Sequence, residues 1–209
     1  LFDLVGERRV ILADAEVSAV LEIRIHGRGG QGAVIASKVL AATFFHEGHF
    51  VQSFPAFGVE RRGAPVMAFV RVDNAPVRLR CNVYHPQHLI VLDQALTETV
   101  DITEGFTETG WVLLNSRRPP GEFPYAEKYK VATVDANEIA VRHRLGSRAT
   151  PVVNTAILGA FAKCTGLVKL ESVLESITHA VPLNPEGNRQ AAIDAFEETL
   201  MSIPELQTR

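Results

Sequence analysis

One stretch near the start of this 209-residue chain limits the folds open to it more than any other. "LEIRIHG" (21–27) alternates Leu21, Ile23 and Ile25 with polar residues, the period of a β-strand. Gly27-x-Gly29-x-x-Gly32 follows at once, and between Gly30 and His46 the residues turn apolar, with Lys38 the only formal charge. A helix apolar around so much of its circumference is a buried one. Gly48 closes it, and "HFVQSFP" starts a second strand that ends at Pro55. Strand, glycine turn, helix, strand is how a wound α/β sheet begins.

The rest of the chain extends that pattern. "AFGVERRGAP" (56–65) is a charged, glycine-punctuated loop, and "VMAFVRVDNAPVRLR" reads as a hairpin with Asp73-Asn74 at its turn and Pro76 opening the return strand. "LIVLD" (89–93) is a short apolar run of the buried parallel kind, followed by a polar helix near 94–102. "WVLLNS" (111–116) repeats the strand signal, 117–124 is a loop, and "KVATVD" (130–135) reads as the last strand. Helices follow: "ANEIAVRHRLG" to Gly146, one capped by Thr150 with Pro151 at its first position, and two more over 169–180 and 186–201. Val153, Ile157, Ala160, Phe161 and Cys164 share one face of the second of these, which makes Cys164 a core residue. The expected fold is α/β: a Rossmann-like, doubly wound, mostly parallel sheet with an inserted β-hairpin and a helical C-terminal part. Residues 1–20 read as an N-terminal extension and 21–209 as a single domain.

Composition removes several classes of function. The formal charge is −3, from 21 basic and 24 acidic residues, which is no nucleic-acid footprint. That charge is uneven: Glu60 to Arg80 holds five Arg against two acids, and Glu171 to Arg209 holds seven acids against two Arg. A basic middle and an acidic tail suit an anionic ligand or a charged partner. Two cysteines, Cys81 and Cys164, do not supply the four ligands of an iron–sulfur cluster or a structural zinc, and such sparse cysteine suits a reducing cytoplasm. No apolar run is long enough to span a bilayer, and residues 1–20 lack the basic head and apolar stretch of a secretory signal. The histidines are not grouped with carboxylates, so no metal site is expected. No nucleophile elbow, Ser-His-Asp order or carboxylate pair marks a catalytic centre.

The glycine turn can cradle an anion, because the free N–H groups and dipole of a helix N-terminus favour negative charge. A dinucleotide enzyme also wants an acid about 20 residues on, at the end of the second strand. This chain has Val51-Gln52-Ser53-Phe54-Pro55 there. The residues alone leave three readings open: a stand-alone NAD(P)-dependent oxidoreductase, a non-catalytic nucleotide-binding module, and a turn that serves an interface. Glu60, Arg61, Arg62 and Gly63 form a second candidate, a clamp for a carboxylate, a phosphate or a partner subunit.

"EIRIHGRGGQGAVIASKVLA" followed by "VQSFPAFGVERRGAPVMAFVRVD", with "PVVNTAILGAFAKCTGL" (151–167) and the last helix around Asn188, resembles the γ subunit of the 2-oxoacid:ferredoxin oxidoreductases. The pyruvate and 2-oxoisovalerate branch is the nearer one, since "FGVERRGAP" departs from the 2-oxoglutarate pattern. The resemblance covers about residues 21–200. It implies a complex that turns a 2-oxoacid, coenzyme A and oxidised ferredoxin into acyl-CoA, carbon dioxide and reduced ferredoxin. It also implies α, β and δ-type partner subunits, and that thiamine diphosphate, magnesium and [4Fe-4S] clusters sit mainly on those chains, none on this one alone. By the same resemblance no residue here is catalytic. Gly27, Gly29, Gly30, Gln31 and Gly32 would bring backbone N–H groups to an interface or an anion, a phosphate of coenzyme A among the candidates. Glu60, Arg61, Arg62 and Gly63 would hold the neighbouring loop.

Overall fold

A computed structural model describes residues 20–56 and 63–204. Its sheet has seven strands: β1 (Leu21–Arg28), β2 (Phe50–Pro55), β3 (Pro65–Asp73), β4 (His88–Val91), β5 (Trp111–Asn115), β6 (Lys130–Val134) and β7 (Leu200–Ser202). The helices are α1 (Ala33–His46), α2 (Ala136–Arg142), α3 (Ala156–Thr165), α4 (Leu170–Ala180) and α5 (Pro185–Glu198). Strand order is β2-β3-β1-β4-β5-β6-β7. The pairs β1–β4, β4–β5 and β5–β6 are parallel, whereas β3 runs antiparallel to both β1 and β2, and β7 antiparallel to β6. The mixed α/β, mostly parallel sheet is therefore the expected one, with an antiparallel unit set into it.

Alternation sorts side chains onto two faces. Ile23, Ile25, Val70, Ile90, Leu113 and Ala132 face one continuous core with residues of all five helices. Leu89, Val91, Val112, Leu114 and Val131 face a second core with Leu96, Ile102, Phe106, Phe123 and Tyr129. Among the described residues no α-helix forms this second layer; short 3-10 turns and loops do, including Gln94–Glu98 in place of the expected polar helix over 94–102.

Three local differences have physical causes. The hairpin exists, but its arms are β2 and β3, joined through residues 56–64, and no strand returns over 76–80. β3 already has neighbours on both edges, so a return strand has no edge to join, and Pro76 lacks an N–H to offer one. Helix α3 starts at Ala156, with Thr155 rather than Thr150 before it. Thr150 is used earlier: it closes a turn with Ser147, each accepting the other's backbone N–H, while Pro151 pairs with Gly146. Lastly, "KVATVD" is followed by another strand: α5 ends at Glu198, and Leu200–Ser202 returns to lie on Val131–Thr133. Val153, Ile157, Ala160, Phe161 and Cys164 are all buried, as their spacing requires.

Candidate functional site

The glycine turn closes β1 and opens α1. A Cβ on Gly27 would stand 3.3 Å from both Ala33 Cβ and Leu92 Cδ1, so the absent side chain lets helix and strand approach. Gly30 and Gly32 hold φ values of 100° and 80°, which side-chain-bearing residues rarely adopt. A Cβ on Gly32 would also meet the amide of Asn154 at 2.5 Å. α1 begins without a side-chain cap and without an acid in its first turn. The first amides of such a helix lack intrahelical acceptors and carry the positive end of its dipole.

Much of the turn, however, is engaged by its own chain. Gly29 N–H donates to Ala64 O at 2.9 Å and Gly63 N–H donates to Gly29 O at 3.1 Å, so Gly63 and Ala64 are docked onto the glycine turn. The side chain of Arg28 reaches Gly63 O at 3.3 Å and pairs with Asp93 at 2.8 Å. Gln31 Oε1 accepts the Arg28 N–H at 2.7 Å, and its Nε2 lies 3.4 Å from the same Asp93 carboxylate. Of the residues expected at the site, Gly27, Gly29, Gly30, Gln31, Gly32 and Gly63 come together. Glu60, Arg61 and Arg62 lie outside the described residues, as do residues 1–19 of the extension.

Beside Gln31, a cavity of about 470 Å³ opens at the C-terminal ends of β4, β5 and β6. This is where open α/β sheets bind ligands. Asn115 forms its floor at 3% exposure; Nδ2 donates to Leu92 O at 2.9 Å and to Asn137 Oδ1 at 3.2 Å, while Oδ1 has no partner among the described residues. Arg117, Arg118 and Arg148 line the rim. Arg117 is held by Asp135 at 2.6 Å, whereas Arg148 makes no ion pair with a described residue. None of these residues stood out in the sequence. Their only signal is position: Asn115-Ser116 and Asp135 are the first polar residues after apolar strand runs, at the end where parallel strands present ligands.

Elsewhere, burial sets the chemistry of several groups. His26 and His88 are held neutral, His26 down to about 3 by burial and the nearby Arg24 guanidinium, His88 to about 4 by burial and Lys130. Burial pushes the Cys164 thiol up to about 12, which makes it inert. Among the described residues no group of three or more His, Cys, Asp and Glu could hold a metal ion, and no helix is long and apolar enough to cross a membrane.

Comparisons with known proteins agree with one another. The model of the family described as pyruvate ferredoxin/flavodoxin oxidoreductase matches residues 22–198. A pyruvate/ketoisovalerate oxidoreductases common subunit gamma from Thermococcus kodakarensis is 50% identical over 187 residues, 87% of this chain and 98% of that protein. A pyruvate synthase subunit from Methanothermobacter thermautotrophicus is 48% identical over 180 residues, 86% of this chain and 96% of its own length. The crystal structure of a pyruvate oxidoreductase subunit from Thermotoga maritima superposes with a TM-score of 0.71 at 34% identity, covering 88% of this chain and 98% of the other.

Proposed function

This chain belongs to the pyruvate ferredoxin/flavodoxin oxidoreductase family, as a gamma-type subunit, and from that premise we propose that it positions substrate and neighbouring subunits in a complex that oxidises 2-oxoacids, pyruvate first among them. The reaction takes a 2-oxoacid, coenzyme A and two oxidised ferredoxins to acyl-CoA, carbon dioxide, two reduced ferredoxins and a proton. Carbon–carbon cleavage and electron transfer fall to other chains. The residues here do not fit an iron–sulfur cluster, since Cys81 is exposed and Cys164 is buried far from it in sequence. The partners of the reading are α, β and δ-type subunits, with ferredoxin reached through the assembly in the cytoplasm.

The observation that carries the positioning role is the fastened turn. Arg28, Gln31, Gly63 and Asp93 brace Gly27–Gly32 into one platform, and the uncapped start of α1 and the arginine-rimmed cavity lie beside it. We place the coenzyme A phosphates there, with Gly27, Gly29, Gly30, Gln31 and Gly32 shaping the approach and Glu60, Arg61, Arg62 and Gly63 closing it. Uncapped amides and Arg side chains both favour phosphate oxygens. Two features weigh against a stand-alone NAD(P) enzyme. β3 lies between β1 and β2, whereas the dinucleotide fold keeps these strands adjacent, and no acid ends β2.

Kinetics of the assembled enzyme test the coenzyme A contact. In the Arg61→Ala/Arg62→Ala double variant and in Arg148→Ala, the KM for coenzyme A should rise by about tenfold, the loss of one charge-assisted contact. The KM for pyruvate should stay put. An unchanged coenzyme A KM in both variants would contradict the contact.

A further inference from the structure

A second cavity, of about 630 Å³, lies under the sheet face opposite the five helices, beside β1 and β3. Two of its polar lining side chains are nine-tenths buried: Arg24 at 6% exposure and His26 at 3%. Arg24 Nε donates to His26 Nε2 at 3.0 Å, and Nη2 donates to the carbonyls of Ile102 and Glu104 at 2.9 and 2.7 Å. Because Nε2 accepts, the proton of the neutral imidazole sits on Nδ1. Arg24 Nη1 and His26 Nδ1–H therefore remain as donors without a partner among the described residues.

The rim beside Arg24 is acidic. Asp101 and Glu104 line the same cavity, and neither carboxylate makes an ion pair with a described residue. Asp101 is kept ionised by the Thr103 hydroxyl and backbone amide, which hold its pKa below the usual carboxylate range. Through its bonds to Ile102 and Glu104, Arg24 fixes the segment that carries both acids. Met67, Phe69, Val83 and Val100 supply an apolar wall. A plain anion would be repelled by the rim and a plain cation by Arg24. A zwitterion satisfies both.

We propose that this cavity is a site for a free α-amino acid with an aliphatic side chain, its carboxylate on Arg24 and His26, its ammonium on Asp101 and Glu104, and its side chain against Met67 and Val100. The site is separate from the glycine turn and does not depend on the function assigned to it. Its volume suits a small-molecule ligand.

Titration calorimetry on the assembled oxidoreductase tests it with L-leucine as probe, beside 4-methylpentanoate, which has only the carboxylate, and 3-methylbutylamine, which has only the ammonium. Leucine should bind saturably and each half-ligand at least tenfold more weakly. Glu104→Gln and Asp101→Asn, both at exposed positions, should each weaken leucine tenfold or more while the complex still assembles. The test does not rely on Arg24, whose replacement threatens the fold. Absence of saturable leucine binding would overturn the proposal. So would equal binding of 4-methylpentanoate, or undiminished leucine binding in both variants.

Discussion

At the residue scale, two glycines with the same spacing role should not respond alike to substitution. Gly27→Ala sets its new carbon against side-chain atoms at 3.3 Å, which can yield slightly. Gly32→Ala combines a φ of 80° with a 2.5 Å encounter with Asn154. We expect it to cost about 1–3 kcal/mol, visibly more than Gly27→Ala, in denaturant unfolding of the chain. The buried histidines make a pH prediction. Their folded pKa values, about 3 for His26 and about 4 for His88, lie below the unfolded value near 6.5. Above that value both states are neutral and nothing is lost; below it the unfolded chain takes up protons first. Stability should fall as pH drops from about 6.5 toward 4, by up to about 1.4 kcal/mol per pH unit for each histidine. His26→Gln should flatten that slope in unfolding experiments at pH 6.5, 5.5 and 4.5; an unaltered slope would remove His26 as a cause. At this scale the glycines were legible, because turn and helix start are local. The partners of Asn115 and Arg24 were not, because Leu92, Asn137, Ile102 and Glu104 reach them only through folding.

At the element scale, Asp93 links three pieces. It ion-pairs with Arg28, lies 3.4 Å from Gln31 Nε2, and through Oδ1 accepts the Ala95 N–H that starts the 3-10 turn. Asp93→Ala should therefore cost about 1–2 kcal/mol, the range for a lost cap. It should also speed amide exchange at Gly29 and Gly63 in the turn; unchanged exchange there would mean the turn is held without it. The opening strand–turn–helix unit was readable because its periods and glycines are contiguous. The insertion of β3 between β1 and β2 was not, since the pairing of Leu21–Arg28 with Pro65–Asp73 is non-local. The same holds for β7: the helical pattern runs past Glu198, and only the edge of β6 makes a strand of Leu200–Ser202. Thr150 misled for a different reason. Thr-Pro is a fitting helix start, but Ser147 competes for the same hydroxyl and backbone.

At the scale of the whole molecule, several large apolar side chains among the described residues are exposed: Phe45 near the end of α1, Phe50 on β2, and Leu200, Met201 and Ile203 on or just after β7. Exposed edge strands and apolar residues of this kind suit a chain that is covered by partners in its working state. The sequence motifs identified the family, and the fold agrees with it over nearly the full matched length. In the proposed division of labour this chain positions, and others carry thiamine diphosphate and the clusters. Anaerobic purification of the tagged chain from its native cells, with mass spectrometry of what accompanies it, tests that division. Cysteine-rich chains and thiamine diphosphate should come with it in fixed proportion. A solitary, stable chain without them would overturn the proposal.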